Sequence, residues 1–355
     1  MSRAFRVIDT GIREGRRQIA FDQALIDAHK AGLIPDTIRF LRFPPTALIG
    51  RHQALSREVR VDYCKANGIG LARRITGGGA IYFDQGQLGW ELVFGRSTLG
   101  IASLGELARE ICEAAAAGLS RLGVQARFRP RNDIEVDGRK LSGTGGFFDE
   151  DTLFYQGTVL VDLDPARMTA ALKVAEAKLA KRALDSAAQR VVTLKALLGT
   201  VPSINDIQRT LVEGFAERLD ITPVAGPISA EEEALADRHY QNEIGTDAFV
   251  AEIDDPDAGE SVCSATVDGA GGSVSAYLRL EGAAPGRIRD ALITGDFFVT
   301  PPRTVFDLES ALRGVEASAA GVAVEKYFSE AHVGMLSVAP GDFRAAVEGA
   351  IAARR

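Results

Sequence analysis

The sequence of 355 residues has few cysteines, no long apolar run and no excess of positive charge. Its three cysteines, Cys64, Cys112 and Cys263, form no C-x-x-C pair, so a disulfide framework is excluded and reduced thiols are expected. No stretch approaches the roughly 20 apolar residues of a membrane span, and the first residues lack the apolar core of a signal peptide. These absences predict a cytoplasmic protein that does not bind a membrane.

The charge balance argues against nucleic acid as a partner. The chain has 41 Lys and Arg against 48 Asp and Glu, a formal net charge of -7, and therefore no overall positive field. Any site for an anion must be local. The four histidines, His29, His52, His239 and His332, are far apart in sequence and lack the spacing of metal ligands, so no structural metal site is predicted.

Length and composition predict two domains. A chain of this size with 46% hydrophobic residues can bury a large core, and its length exceeds that of a typical single domain. The segment AEIDDPDAGE is acidic, poor in large apolar residues and interrupted by proline, which is typical of a linker. We therefore expect a catalytic domain at 1–250, a linker at 251–260 and an accessory domain at 261–355.

Short runs of strand-forming residues predict a sheet in the first domain. Apolar runs at 37–43 and 47–50 lie on either side of a proline pair, which indicates two strands joined by a rigid bend. Asp137-Gly138 is a strong hairpin signal, and residues 154–164 continue in strand-forming residues. Because hairpins exclude a purely parallel sheet, the expected sheet is mixed and largely antiparallel.

Helical patterns predict that the sheet is flanked by helices, which makes the fold α+β. From Leu104 to Leu122, apolar residues recur at intervals of three or four after a capping Ser103. Helical spacing then dominates from 165 to about 240. In the smaller α/β accessory domain, a further helix is expected between Thr304 and Gly314.

The stretch RRITGGGAIYFDQGQ, residues 73–87, combines arginines with three consecutive glycines. Glycines let backbone N–H groups approach an anion, and the guanidinium of Arg74 can bond phosphate or carboxylate oxygens in bidentate fashion. The spacing fits neither a Walker A loop nor a dinucleotide fingerprint. The stretch predicts a phosphate cradle of another kind, and a tight turn between strands is the alternative.

A second glycine-rich stretch, RNDIEVDGRKLSGTGG at 131–146, places Lys140 directly after the hairpin turn. One ammonium group beside glycine-rich backbone could stabilise negative charge on a phosphate. The alternative is a solvated turn lysine, which is the usual fate of lysines.

At these residues the chain resembles the lipoate-protein ligase A family, within the wider group of biotin and lipoate ligases. The resemblance rests on four blocks in the family's order, at 42–53, 73–87, 131–143 and 155–161. A fifth block, GDFFVTPPRTVFDLESALRG at 295–314, resembles the signature of the family's accessory domain. The resemblance covers most of the first 165 residues and implies a complete ligase.

The resemblance implies a two-step reaction. Lipoate, or octanoate, and ATP with Mg²⁺ form the acyl adenylate and pyrophosphate, and the acyl group then passes to a lysine of an acceptor protein. Possible acceptors are a 2-oxoacid dehydrogenase acyltransferase domain, a glycine-cleavage H protein or an H-like lipoate-binding protein. The accessory domain would close over the site and protect the adenylate from water.

The resemblance also implies roles for individual residues. Lys140 would contact the adenylate around the mixed anhydride and is the expected catalytic residue. Asp133 would in addition hold Mg²⁺ against the phosphates. The positions expected to bind the nucleotide and adenylate are Arg74, Thr76, Gly77, Gly78, Gly79, Asn132, Asp133, Ser142, Gly143, Gly157 and Thr158.

The chain departs from the family at three positions. Phe83 stands where the family often has His, Gln87 where it often has Asn, and Gln156 where it often has His. Neither glutamine titrates near neutral pH, so a proton-transfer role at Gln87 or Gln156 is not expected.

Three other functions remain as alternatives. An octanoyl or lipoyl transferase between carrier proteins would need a nucleophilic cysteine, and none follows the Lys140 block at the expected place. A biotin ligase would carry a G-R-G-R type loop in place of TGGGA. A non-catalytic lipoate- or adenylate-binding protein would keep the pocket without turnover.

Overall fold

The computed structural model describes residues 3–101, 103–173, 190–256, 262–269, 271–283, 286–336 and 338–354. Within these ranges the first unit is built on two sheets. Its strands are β1 (Arg3–Ile12), β2 (Thr37–Arg42), β3 (Thr46–Ile49), β4 (Gly70–Arg73), β5 (Ile81–Phe83), β6 (Gln87–Gly95), β7 (Arg127–Arg129), β8 (Asp133–Val136), β9 (Arg139–Asp149), β10 (Thr152–Leu160) and β11 (Ile221–Ala225).

In the described part of the chain, the larger sheet has eight strands in the order β11-β1-β2-β6-β10-β9-β8-β7. Strand β1 runs parallel to β11 and β2, and the other neighbours are antiparallel. A smaller sheet has the order β4-β3-β5. The predicted mixed, largely antiparallel α+β architecture is confirmed.

Helices cover both faces of the large sheet. They are α1 (Gly15–Lys30), α2 (Leu55–Glu58), α3 (Val61–Ala66), α4 (Leu104–Ser120), α5 (Pro165–Ala171), α6 (Leu194–Leu198), α7 (Ile204–Leu219), α8 (Ala230–His239) and α9 (Asp247–Val250), and a π-helical turn follows α8 at Tyr240–Ile244. Helices α4 and α7 pack against one face, and α1 and α8 contribute to the apolar cluster on the other. Among the described helices, none is long and apolar enough to cross a bilayer.

Most local predictions agree with the structure. The runs at 37–43 and 47–50 form β2 and β3, and Asp137 and Gly138 adopt φ of 50° and 76° in the turn between β8 and β9. Positive φ at both central residues is what a two-residue hairpin turn requires. The helix predicted from Leu104 forms, and the Ser103 hydroxyl accepts its capping hydrogen bond from the Glu106 N–H at 3.3 Å.

The helical prediction for residues 165 to 240 was wrong at one element. Strand β11 lies between α7 and α8 and pairs with the edge strand β1, a parallel pairing across more than 200 residues of sequence that local spacing does not reveal. The part of that prediction at 174–189 lies outside the described residues.

The C-terminal unit has its own sheet and apolar core. Strands β12 (Val262–Gly269), β13 (Gly272–Glu281) and β14 (Arg287–Gly295) pair antiparallel, and β15 (Val299–Thr300) pairs with β16 (Gly334–Met335). Helices α10 (Thr304–Leu312) and α12 (Pro340–Ala352) pack on the larger of these sheets, and α11 (Ala320–Glu330) packs against both helices. A 3₁₀ turn lies at Ala317–Ala319. The helix predicted after Thr304 is present, with Val305, Leu308 and Leu312 buried.

The beginning of the predicted linker packs against the first unit. Ile253 is buried, and its carbonyl oxygen accepts hydrogen bonds from the Leu55 N–H and the Arg73 guanidinium. Arg73 also donates to the Phe249 and Val250 carbonyls. Residues 257–260 of the predicted linker lie outside the described residues, and the domain division stays a prediction.

The two units meet at residues 295–300. The Gly295 N–H donates to the His52 carbonyl oxygen at 3.0 Å, and the Thr300 hydroxyl both accepts from and donates to the Phe148 backbone. The His52 ring stacks on Phe297 with ring centroids 5.4 Å apart. Burial, with the nearby charges of arginines, lowers the pKa of His52 to about 3, so this ring is neutral at physiological pH.

Candidate active site

A cavity of about 860 Å³ lies between the large sheet, helix α1, the small sheet and the C-terminal unit. Near β2 its lining includes the apolar side chains of Ile19, Leu41, Phe43, Leu48 and Phe83, beside the acidic residues Asp22 and Glu91. Toward β8 and β9 its wall is polar and includes Asn132, Asp133 and Lys140. In the large sheet, strands β6 and β10 lie between β2 and β9. Such a cavity can hold a molecule with an apolar tail and a charged head.

Lys140 lines the polar side of the cavity. Its Nζ atom is 2.7 Å from Asp133 Oδ1, and its side chain is 38% exposed. A Cβ built on Gly143 would lie 2.5 Å from this Nζ atom. Because Gly143 has no side chain, the end of the Lys140 side chain has room to lie against the backbone there.

Asn132 and Ser142 differ in their placement. The Asn132 side-chain amide donates to the Thr144 carbonyl oxygen, and the Thr144 N–H donates to the Asn132 carbonyl at 2.9 Å, so the loop before β8 is fixed to β9. Asn132 lines the cavity. Ser142 is fully buried, and its hydroxyl has no hydrogen-bond partner within the described ranges. It is not among the described residues that line the cavity.

Arg74 shapes the glycine loop from within. Its guanidinium donates to the carbonyl oxygens of Leu48 at 3.0 Å, Gly77 at 3.1 Å and Gly79 at 2.8 Å. Burial lowers the pKa of Arg74 to about 10, and the charge of Asp296 partly opposes that change. Arg74 also lines the cavity, and anion binding by its guanidinium stays a prediction.

The three glycines of the loop contact the C-terminal unit. The Gly78 N–H donates to the Phe297 carbonyl oxygen at 2.8 Å, and a Cβ built on Gly78, whose φ is +85°, would lie 2.5 Å from Phe298 Cζ. A Cβ on Gly77 would overlap the Phe297 carbonyl, and one on Gly79 would lie 2.9 Å from Asp296 Oδ2. In this arrangement the bare backbone is needed for close approach of residues 296–298. A role of the triplet as a phosphate cradle stays a prediction.

Phe298 also packs on strand β9, where a Cβ built on Gly145 would overlap its ring. We therefore expect Gly145→Ala to weaken the contact between the two units and to destabilise the full chain by roughly 1–3 kcal/mol, the usual cost of overpacking. Thermal unfolding and limited proteolysis would measure the effect. In a Phe298→Ala background the added methyl group has room, so the same substitution should cost much less. An equal cost in both backgrounds would contradict the proposed clash.

The remaining predicted positions lie around strand β10. The Gln156 side-chain amide donates to the Thr76 hydroxyl at 2.7 Å and so joins β10 to the glycine loop. Thr158 lines the cavity. Gly157 also lines it, but a Cβ at this position would overlap the Trp90 ring. Packing against Trp90 is thus a sufficient reason for glycine at 157.

The three positions that depart from the family all line the cavity. Phe83 packs on Phe43 with ring centroids 4.6 Å apart. The Gln87 side-chain amide donates to the Tyr82 carbonyl oxygen at 2.9 Å. Together with the bond from Gln156 to Thr76, these contacts give Phe83, Gln87 and Gln156 packing and hydrogen-bonding roles that need no titration.

Sequence reasoning missed a buried charge cluster in the cavity wall. Arg39 bonds Asp22 at 2.5 Å and Glu91 at 2.8 Å, and it also bonds the Gln18 side chain. Asp22 and Glu91 line the cavity. Burial raises the pKa of Glu91 well above its ordinary value and also raises that of Asp22. One guanidinium thus faces two buried carboxyl groups. The sequence did contain a signal for this cluster, because Arg39 and Glu91 are charged residues within otherwise largely apolar strands.

None of the three cysteines is placed as a nucleophile in the described part of the cavity wall. Cys112 lies on α4, where its thiol contacts the hydroxyl of the cavity-lining Thr144 at 3.2 Å and the Tyr155 hydroxyl at 3.5 Å. Burial raises the pKa of Cys112 to about 11. A thiol with such a pKa is almost entirely protonated at neutral pH and is a poor nucleophile.

Asp133, the predicted Mg²⁺ ligand, is already paired with cations. Its carboxylate bonds Arg129 at 2.5 Å and Lys140 at 2.7 Å. Among the described residues, no group of three His, Cys, Asp or Glu side chains could hold a metal ion. The described side chains therefore do not form a metal cage of their own, and Asp133 acts here as a counter-ion to Lys140 and Arg129.

Comparison with known proteins identifies the family. A model of the lipoyl protein ligase A/B catalytic domain matches residues 14–216, more than half of the chain. The chain belongs to the lipoate-protein ligase family. The matched range includes every site residue that the sequence predicted in this family, from Arg74 to Thr158, and ends before the C-terminal unit.

Similar proteins in this family include ligases and transferases. Lipoate-protein ligase A subunit 1 of Thermoplasma acidophilum is 31% identical over 244 residues, which are 66% of this chain and 91% of that protein. The octanoyltransferase LipM of Kyrpidia tusciae is 30% identical over 258 residues, 66% of this chain and 94% of that protein. The chain is thus a lipoate-protein ligase or octanoyltransferase family enzyme.

Two solved structures of lipoate ligases share the fold of the first unit. A bi-partite lipoate protein ligase from Thermoplasma acidophilum, studied with its E2 lipoyl domain, is 28% identical with a TM-score of 0.64 and covers 71% of this chain and 97% of its own. Lipoate-protein ligase A bound with ATP is 27% identical with a TM-score of 0.62 and covers 71% of this chain and 100% of its own.

Proposed function

We propose that this protein is an ATP-dependent lipoate-protein ligase. It activates lipoate, or octanoate, to the acyl adenylate and then transfers the acyl group to a lysine of an acceptor protein. The observation that carries the proposal is the ammonium group of Lys140, held by Asp133 beside Gly143, in the polar wall of a cavity that also has apolar lining residues. A fatty-acid-like tail and a phosphate-bearing head need such a combination.

The cavity walls support a consistent orientation of the substrates. The acyl chain would lie toward Ile19, Leu41 and Phe43, and its carboxylate would face the polar side. ATP would enter as its Mg²⁺ complex beside Asn132 and Lys140. A neighbour of the same fold binds ATP, which supports nucleotide binding at this family's site.

In the first step, the lipoate carboxylate oxygen forms a bond to the α-phosphorus of ATP, and pyrophosphate leaves. Negative charge builds on the α-phosphate oxygens as the bond forms. The ammonium of Lys140 would stabilise that charge more strongly than it stabilises bound ATP, which is the requirement for catalysis.

In the second step, the amine of the acceptor lysine attacks the acyl carbon, and AMP leaves. The acceptor would be a 2-oxoacid dehydrogenase acyltransferase domain, a glycine-cleavage H protein or an H-like lipoate-binding protein. The relative of this fold that was studied with its E2 lipoyl domain supports the first of these.

The runner-up is acyl transfer between carrier proteins, which the similarity to the LipM octanoyltransferase favours. A transferase that forms a thioester needs an accessible thiolate. Cys112 is buried with a pKa raised to about 11, and Cys64 and Cys263 do not line the described part of the cavity. These placements support the ligase over the thioester transferase.

The test is to incubate the full chain with ATP, Mg²⁺, lipoate and each apo-acceptor in turn, and to read the acceptor's intact mass. We expect a gain of one lipoyl group that requires ATP, with release of pyrophosphate. A parallel reaction supplies octanoylated carrier protein without ATP. Modification in that arm alone would overturn the ligase in favour of the transferase, and modification in neither arm would favour a non-catalytic binding protein.

A further inference from the structure

We infer that Arg131 binds the leaving pyrophosphate group of ATP, that is, its β- and γ-phosphates. The inference rests on the proposed ligase function and adds a residue to its first step. Arg131 directly precedes Asn132 and Asp133, and all three line the main cavity.

Arg131 stands between two cavities. The second cavity, of about 480 Å³, lies between helix α4, strand β7 and the C-terminal unit, and Pro130 and Arg131 line both cavities. The Phe128 and Leu336 side chains form part of its apolar wall. Arg131 is an exposed residue, so solvent reaches it beside both cavities.

The charges around Arg131 leave its guanidinium available for an anion. Within the described ranges it makes no hydrogen bond or ion pair, whereas Lys140 and Arg129, on the same wall, are paired with Asp133. Glu113 is the acidic residue lining the second cavity, and its carboxylate is neutralised by Arg109 at 2.9 Å and Arg218 at 2.5 Å. Arg131 is thus an unpaired cation whose acidic neighbours already have partners.

The chemistry of adenylate formation supplies the anion. As the lipoate oxygen bonds to the α-phosphorus, the bond from that phosphorus to the bridging oxygen breaks, and the electron pair leaves with pyrophosphate. No proton or electron is needed from another reagent. A planar guanidinium can donate two parallel hydrogen bonds to phosphate oxygens, which makes arginine well suited to hold the departing group.

The test compares Arg131→Gln with the wild-type full chain in three measurements. We expect the KM for ATP in pyrophosphate release, and the dissociation constant for inorganic pyrophosphate by calorimetry, to rise roughly tenfold or more, the effect of losing about 1.4 kcal/mol of binding. Transfer of lipoyl from chemically supplied lipoyl adenylate to an acceptor should keep its wild-type rate, because that step contains no pyrophosphate. If Arg131 had only a structural role, its loss would weaken ATP and pyrophosphate binding and would also slow the transfer of lipoyl from the adenylate.

Arg139→Gln is the matched control. Arg139 lies on the same hairpin and is not among the described lining residues of either cavity. Its loss should therefore leave all three measurements within about twofold of wild type. A change of that size is smaller than the effect of losing one hydrogen bond to a charged group. Pyrophosphate affinity of Arg131→Gln equal to that of Arg139→Gln would overturn the inference. If the wild-type chain releases no pyrophosphate from ATP and lipoate, the proposed function fails, and the calorimetric comparison still decides the role of Arg131.

Discussion

Replacing Lys140 with alanine is expected to lower the rate of adenylate formation by roughly 100-fold or more, the scale of losing one preorganised charge partner of a transition state. In the structure, the Lys140 Nζ atom lies 2.7 Å from Asp133 and directly over the bare backbone of Gly143, within the polar wall of the cavity. The substitution removes the cation that is fixed there. Pyrophosphate release from ATP and lipoate is the measurement.

The side chain of Lys140 is 38% exposed, so its loss should leave the thermal unfolding midpoint nearly unchanged. Arg139→Ala provides a matched control, because Arg139 is adjacent in sequence, carries the same charge and does not line the described cavity. Near wild-type pyrophosphate release by Lys140→Ala would remove this residue from the catalytic site. Equal losses in both variants would indicate a general effect of charge.

Ending the chain after Pro256 is expected to separate the two half-reactions. Without the C-terminal unit, the glycine loop loses the hydrogen bond from Gly78 to Phe297 and the packing of Phe298 against Gly78 and Gly145. Misplacement of a substrate-binding loop by about 1 Å can cost roughly 100-fold, so adenylation should fall by that order. Transfer from preformed lipoyl adenylate to an acceptor should persist, because Lys140 and the acyl pocket remain.

The truncated chain is expected to fold. Its apolar clusters consist almost entirely of residues before Ile253, and the Arg73 guanidinium still binds the Phe249, Val250 and Ile253 carbonyls. The assay compares truncated and full-length chains with ATP and lipoate in one arm and with preformed adenylate in the other. Equal activity of both chains in both arms would remove the proposed role of the C-terminal unit, and an insoluble truncated chain would show that the domain boundary is misplaced.

Local features of the candidate site followed from the sequence because each depends on neighbours along the chain. The hairpin turn at Asp137-Gly138 needs two residues that tolerate positive φ. Strand β9 begins directly after this turn and contains both Lys140 and Gly143. The helix from Leu104 follows from its apolar spacing and its capping serine. Family resemblance then gave each of these residues an expected role.

Contacts with residues distant in sequence explain why glycine occupies several positions in the site. Gly78 and Gly145 meet the ring of Phe298, and Gly157 meets the ring of Trp90. Those contacts join elements separated by between about 65 and 220 residues, so no local pattern announces them. A glycine run read alone therefore indicates that bare backbone is needed, and it does not say whether a phosphate or a side chain approaches.

The sequence by itself determined the family and the mixed sheet with its Asp137-Gly138 hairpin, because periodicity, turn residues and ordered motifs are local properties of the chain. Only the tertiary structure brought Asp22, Arg39 and Glu91 from three separate elements into one buried cluster. It also placed residues 296–298 against the glycine loop. These arrangements arise from burial and close packing between distant segments, and the free energy that fixes them exists only once the sheets and helices have assembled.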